Sequence, residues 1–288
     1  MRIALSQLTT GPEPARNLDL LAAETARAAS AGARVVVFPE ASMACFGTPL
    51  TPVAEPLDGP WATALRALAA DAGITVVAGM FTPAPGGRVA NTLLATGPGV
   101  DTAYDKIHLY DAFGYRESDS VAAGSRVATI DVDGVRFGLA TCYDVRFPEL
   151  FRAHADAGAV ATLLAASWGA GPGKREQWEL LVRARALDAT VWVAAVGQAD
   201  PAAGDPAATG AAAQGSAPTG IGYSAVVGPD GTVRERLGAG PGLLVAELDV
   251  AEVAAVREKI PVLANRRLGD GTGSGIGTGR GAGAYEQA

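Results

Sequence analysis

The stretch Leu139-Ala140-Thr141-Cys142-Tyr143-Asp144-Val145-Arg146-Phe147-Pro148-Glu149-Leu150 decides how this chain is read. The apolar run over 135–141 predicts a buried strand, and a helical pattern follows over 148–157, opened by Pro148. Cys142 sits at the junction. On a strand-to-helix turn, backbone N–H groups point at whatever the sulfur attacks. The positive end of the helix dipole there draws a cysteine pKa from about 8.5 toward neutrality. Most free cysteines are instead small buried hydrophobes, and taken alone Cys142 fits that description equally well.

Working outward, apolar runs and helical patterns alternate. Strands are expected over 3–8, 34–38, 74–80, 91–96, 100–105, 159–165, 191–196, 222–227, 232–237 and 243–248. Helices are expected over 15–31, 60–72, 175–188 and 250–259. Short apolar strands interleaved with helices indicate an α/β protein with helix-covered sheets. The strands are too many for one simple doubly wound sheet. Two sheets packed face to face with helices outside would use them all. The 199–219 stretch, rich in Ala, Gly and Pro, reads as a surface loop. Residues 269–288 are Gly-rich without periodicity and read as a disordered tail after a single domain over 1–268.

Composition narrows the function. The 288 residues carry 23 Lys+Arg against 30 Asp+Glu, a formal net charge of −7. That balance speaks against nucleic acid or an anionic membrane as partner, since both need clustered basic residues. No stretch has the length and apolarity of a membrane span, and the N-terminus shows no charged-then-apolar leader. Two cysteines, Cys45 and Cys142, make no disulfide framework, so a reduced, cytoplasmic protein is expected. Only two histidines occur, with no Cys-x-x-Cys pair and no His-Glu-x-x-His, so no metal site is expected. The Gly-x-Ser-x-Gly elbow of α/β serine hydrolases and the phosphate-binding glycine loop are also missing.

Three further residues stand at strand ends or just beyond. Glu40 closes Val35-Val36-Val37-Phe38-Pro39-Glu40. Lys106 follows the strand over 100–105, in Lys106-Ile107-His108-Leu109. Glu117 lies in Tyr115-Arg116-Glu117-Ser118. Singly, each is an ordinary loop or helix-start charge. Together with Thr141-Cys142-Tyr143-Asp144-Val145-Arg146-Phe147-Pro148-Glu149, they resemble the nitrilase, or carbon–nitrogen hydrolase, superfamily over residues 1–268.

That resemblance implies a four-layer α-β-β-α sandwich working without metal or organic cofactor. It implies Cys142 as the nucleophile that forms a thioester, Glu40 as proton carrier, and Lys106 with the Tyr143 backbone N–H as oxyanion donors. Glu117 would support the lysine. It also implies a homodimer, formed through the helices after Cys142 and around 175–188. Lys106-Ile107-His108-Leu109-Tyr110-Asp111-Ala112-Phe113 and Ile260-Pro261-Val262-Leu263-Ala264-Asn265-Arg266-Arg267 are similar to the Nit branch. Ala166-Ser167-Trp168, Lys174 and Gln177-Trp178 are most similar to bacterial deaminated glutathione amidases. ω-Amidases acting on 2-oxoglutaramate or 2-oxosuccinamate come next.

The expected partner is thus a small-molecule amide carrying a carboxylate, which needs a donor-rich pocket. Arg116, Lys174 and Arg175 are candidates for it, and Ser167 and Trp168 for the pocket wall. Arg146 reads as a structural ion pair with Glu149 or Asp144. His108, two residues after Lys106, could serve a Cys–His hydrolase, but no Asn or Asp stands out to orient it. An acyl-transferring relative and a non-catalytic scaffold are the readings from other classes.

Overall fold

A computed structural model describes residues 1–203 and 219–267 of the chain. The first sheet is built from β1 (Arg2–Gln7), β2 (Val35–Val37), β3 (Thr75–Pro83), β4 (Val89–Gly97) and β5 (Val100–Asp105). The short β6 (Asp111–Ala112) and β7 (Tyr115–Arg116) form a separate hairpin, and β8 (Val121–Ala122) joins the first sheet beside β4. The second sheet holds β9 (Thr129–Val132), β10 (Val135–Thr141), β11 (Ala161–Ala166), β12 (Trp192–Gly197), β13 (Ala225–Val227) and β14 (Val233–Arg236). The final strand, β15 (Gly242–Glu247), returns to pair antiparallel with β1. Both sheets have a parallel centre, β1-β2-β3 in one and β10-β11-β12 in the other, flanked by antiparallel strands.

Residue alternation on the strands makes the layers. In the first sheet Ile3, Leu5, Val35, Val37, Val77, Leu93 and Ala95 face the second sheet. Their neighbours Ala4, Val36, Val76, Ala78 and Leu94 face outward, against Leu21 and Ala28 of α1 (Pro14–Ser30) and Trp61, Leu65 and Ala69 of α2 (Pro60–Ala72). α3 (Pro148–Asp156) and α4 (Lys174–Ala189) cover the second sheet with Phe151, Ala155, Trp178, Val182 and Ala186. The result is a four-layer α-β-β-α sandwich, with α5 (Ala251–Lys259) following β15.

The sequence reading needs three amendments. The strand β9 escapes the apolar pattern because Thr129 and Asp131 alternate with Ile130 and Val132. It turns into β10 through Asp133-Gly134, both with positive φ, the geometry of a tight primed hairpin turn. No α-helix opens directly at Cys142: a 3-10 turn, Cys142–Arg146, comes first, and α3 starts at Pro148. The 111–116 hairpin stands apart from both sheets. Most of the expected 199–219 loop and the whole 269–288 tail lie outside the described residues.

Candidate active site

The carboxyl ends of β2, β10 and β11 and the end of β5 converge on one cleft. Open α/β sheets bind ligands at such strand ends. Its lining includes Glu40, Lys106, Glu117, Cys142, Ser167 and Lys174, and it encloses about 440 Å³ including its open mouth.

Each side chain reaches the cleft for a local reason. After β2 the chain turns sharply at Pro39 and Glu40, and Ala41 takes a positive φ of 60°. The turn lies flat on β3 because residue 79 is glycine: a Cβ there would stand 2.6 Å from the Ala41 nitrogen and 3.0 Å from Glu40 Cα. Glu40 is buried. Its Oε1 accepts from Lys106 Nζ at 3.1 Å and Asn91 Nδ2 at 2.8 Å, and its Oε2 accepts from the Ser167 N–H at 2.8 Å. Lys106 is pinned where β5 ends, its backbone N–H donating to the Asn91 carbonyl at 2.9 Å. Its ammonium also donates to Glu117 Oε2 at 2.8 Å. Glu117 is in turn fixed by the Tyr110 N–H, 2.6 Å from Oε2.

Cys142 opens the 3-10 turn with φ of +47°, a conformation non-glycine residues seldom hold. Its Sγ lies 3.8 Å from the Ser167 carbonyl oxygen. Burial pushes the thiol well above its ordinary pKa, and the Glu40 charge adds to this while Lys106 opposes it. The turn therefore does not deliver the lowered pKa expected of a helix N-terminus: desolvation and a neighbouring carboxylate win. Burial also raises Glu40, with Glu117 adding to it and Lys106 opposing. For Lys106, burial works against the charge, but Glu40 and Glu117 together hold it well above the usual lysine value. A protonated thiol, a carboxylate of raised proton affinity and a fixed ammonium thus share one buried cluster. These are the parts of a nucleophile, a proton carrier and an anion stabiliser.

Of the pocket candidates, Ser167, Trp168 and Lys174 line the cleft. Arg116 and Arg175 do not. Arg116 is 72% exposed and pairs with Asp119 at 3.4 Å. Arg175, on the outer face of α4, pairs with Glu179 at 3.0 Å and stacks 4.0 Å over the Tyr223 ring. One helical step separates it from Lys174, enough to change faces. Arg146 makes neither expected ion pair. Its Nη2 donates to Gln177 at 2.7 Å and its guanidinium lies over Trp168 and Tyr143. His108 does have a partner acid: its Nδ1 is 2.7 Å from Asp144 Oδ1. The sequence reading also passed over Asn91, which bridges Glu40 and Glu117, and Phe46, Tyr110 and Tyr115 in the cleft wall. An asparagine inside a buried, largely apolar strand is the available signal for Asn91.

The sequence signature of the carbon–nitrogen hydrolase family matches residues 2–258. The chain belongs to this family. Hydrolase Rv0480c of Mycobacterium tuberculosis is 56% identical over 92% of this chain and 95% of its own. A deaminated glutathione amidase of Escherichia coli O157:H7 is 34% identical over 93% and 97%. The amidase from Nesterenkonia sp. AN1 has been seen as a mutant with the acetamide moiety of fluoroacetamide added covalently at its active-site cysteine. It shares the fold at a TM-score of 0.75 with 28% identity, over 93% of this chain and 94% of that one. This carbon–nitrogen hydrolase is therefore an amidase-type member of the nitrilase superfamily, Nit branch, acting on non-peptide C–N bonds. Among the described residues no helix is long and apolar enough to cross a membrane.

Proposed function

We propose that this chain is a thiol amidase whose Cys142 attacks the terminal amide of a small, carboxylate-bearing substrate. The observation that carries the reading is the burial of Glu40, Lys106, Glu117 and Cys142 in one hydrogen-bonded cluster at the cleft floor. Glu40 takes the thiol proton as Sγ adds to the carbonyl carbon. The oxyanion is met by Lys106 and the Tyr143 N–H. One such donor is worth about 3–4 kcal/mol of barrier. Glu40 returns the proton to the amide nitrogen, the C–N bond breaks, and ammonia leaves a thioester. Glu40 then draws a proton from water, hydroxide adds to the thioester, and the collapsing intermediate expels the sulfur, which regains the proton. The net change is amide plus water to carboxylic acid plus ammonia.

Lys174 supports the carboxylate preference. Its ammonium lines the cleft 3.2 Å from the Tyr110 hydroxyl and 3.5 Å over the Phe113 ring, and it pairs with no carboxylate among the described residues. Similarity to the deaminated glutathione amidase makes deaminated glutathione the first substrate to try, with 2-oxoglutaramate beside it. Ammonia release with a kcat/KM clearly favouring the tripeptide analogue supports metabolite repair, and the reverse preference moves the function to ω-amidase. Cys142→Ala should abolish release from both while the fold is kept, and retention of most activity would sink the thiol mechanism.

We propose further a cytoplasmic homodimer through the α3–α4 face. Leu180 and Leu187 support it, being 65% and 42% exposed on α4. Light scattering of Leu180→Lys against the parent protein tests it.

A further inference from the structure

We propose that Asp144 and His108 act together as a positioning clamp that holds the two oxyanion donors, Lys106 and the Tyr143 N–H, in register. The inference rests on the roles given to Lys106, Tyr143 and Cys142 above.

Asp144 is wholly buried, and four donors converge on it. Oδ2 accepts from the Tyr104 hydroxyl at 2.6 Å and the Thr141 N–H at 2.9 Å. Oδ1 accepts from the His108 N–H at 3.0 Å and from His108 Nδ1 at 2.7 Å. An ionised carboxylate only accepts, so Nδ1 carries the proton. None of the four is a lysine or arginine, so the buried carboxylate depends on directed hydrogen bonds for its place.

The donors come from separate pieces of the site. Tyr104 ends β5. His108 is two residues beyond Lys106. Thr141 is the residue before Cys142. Asp144 itself lies in the middle of the 3-10 turn that contains Tyr143. One carboxylate therefore bridges the lysine segment to the nucleophile turn. A second link runs beside it: the His108 ring stacks on Phe147, the residue after the turn, at 3.7 Å between centroids and 6° between planes.

The turn needs such a restraint. Cys142 holds φ of +47°, which surrounding structure must enforce in a residue with a side chain. The direction of the Tyr143 N–H follows from that turn. Lys106 is tied on one side to the Asn91 carbonyl, and on the other its segment is tied through His108 to Asp144. Loosening the carboxylate would let the two donors drift apart without emptying the cleft. An Asn at 144 supplies one accepting oxygen instead of two, so one pair of donors would face an NH2 group.

The test uses Asp144→Asn, His108→Ala and His108→Asn, each checked by circular dichroism and thermal unfolding, with Cys142→Ala in the same series. For the amide turned over fastest, kcat and KM are measured. So are the affinities for its aldehyde analogue, which forms a tetrahedral adduct on the thiol, and for its carboxylic acid product. Asp144→Asn should lose about 100-fold in kcat with KM nearly unchanged, the scale of a misplaced oxyanion donor. Aldehyde affinity should fall with kcat while product affinity holds. His108→Asn, which can keep an N–H near the Nδ1 position, should recover most of what His108→Ala loses. A folded Asp144→Asn enzyme with kcat within about threefold of the parent overturns the clamp, as do aldehyde and product affinities falling together. If Asp144→Asn does not fold, the histidine pair decides, and equal kcat for the two variants overturns the clamp. Hydrolysis by Cys142→Ala would instead remove the mechanism on which the clamp rests.

Discussion

His154 offers a quantitative test of how the nucleophile strand is supported. The side chain lies on α3, fully buried, with its ring against Gly138 of β10, four residues before Cys142. A Cβ on Gly138 would stand 2.2 Å from His154 Cγ. Nδ1 is 3.1 Å from Thr162 Oγ1, and Nε2 has no partner among the described residues, so the protonated ring would bury an unmet donor. Burial lowers the pKa from 6.5 to about 4, with the nearby Asp144 charge opposing. A base whose folded pKa is depressed favours the folded state above 6.5 and loses that contribution as pH falls through about 4. The full gap is worth about 3 kcal/mol, and about 2 kcal/mol of it is already lost near pH 5. Urea unfolding of the parent and of His154→Gln at about pH 7.5 and about pH 5 isolates the effect, because every other titration is common to both. Glutamine can still bond Thr162 and takes no proton. Whatever it costs at neutral pH, its stability should fall by about 2 kcal/mol less than the parent's over this interval. Two proteins losing the same amount within about 0.5 kcal/mol would show that His154 is already solvated or protonated, and the buried-ring argument would fail.

Three other expectations concern the cleft. The raised Glu40 pKa means that kcat/KM should fall on acidification through a limb lying above the ordinary carboxylate range, since the base must be ionised to take the thiol proton. A limb at or below the ordinary value of 4.5 would contradict this. Gly79→Ala pushes a Cβ into the Ala41 nitrogen. It should cost about 1–3 kcal/mol in urea unfolding and lower kcat by displacing Glu40; a fully stable, fully active variant would refute the packing argument. Lys174→Met should raise KM about tenfold or more for a carboxylate-bearing amide and leave an uncharged amide such as propionamide unaffected, and equal effects on both would take Lys174 out of carboxylate recognition.

Much of this was legible in the chain. Val35-Val36-Val37 and the runs at 137–141 and 161–166 are buried along their whole length, so their largely apolar composition marks parallel central strands. Strand-end placement marked Glu40, Lys106 and Cys142. What escaped depends on three-dimensional partners. Lys174 and Arg175 are equally plausible in sequence, and only the phase of α4 separates the cleft from the outer face. Arg146 looks like an ion-pairing residue because Asp144 and Glu149 flank it, yet Asp144 is saturated by four other donors. The direction of the Cys142 pKa was misjudged because a local rule about helix ends ignored burial, the largest influence on it.

That reversal bears on how the site would work. A thiol held above its ordinary pKa is not a preformed thiolate, so proton removal must accompany attack, and a base of raised proton affinity is what such a transfer needs. The same argument explains a second glutamate beside one lysine. In the proposed cycle Glu40 is protonated when the oxyanion forms and again during thioester hydrolysis. With Glu40 neutral, the oxyanion and Glu117 are the negative charges left to the buried Lys106 ammonium, so Glu117 is what holds it in place while its other partner changes. Glu117, 2.8 Å from Nζ and itself held by the Tyr110 N–H, keeps that charge paired at every stage. Removing Glu117 should therefore harm the enzyme most when Glu40 is protonated. Glu117→Gln is expected to lower the single-turnover rate constants of both acylation and thioester hydrolysis, whereas a residue that only packs the lysine would change stability and leave both rate constants unchanged.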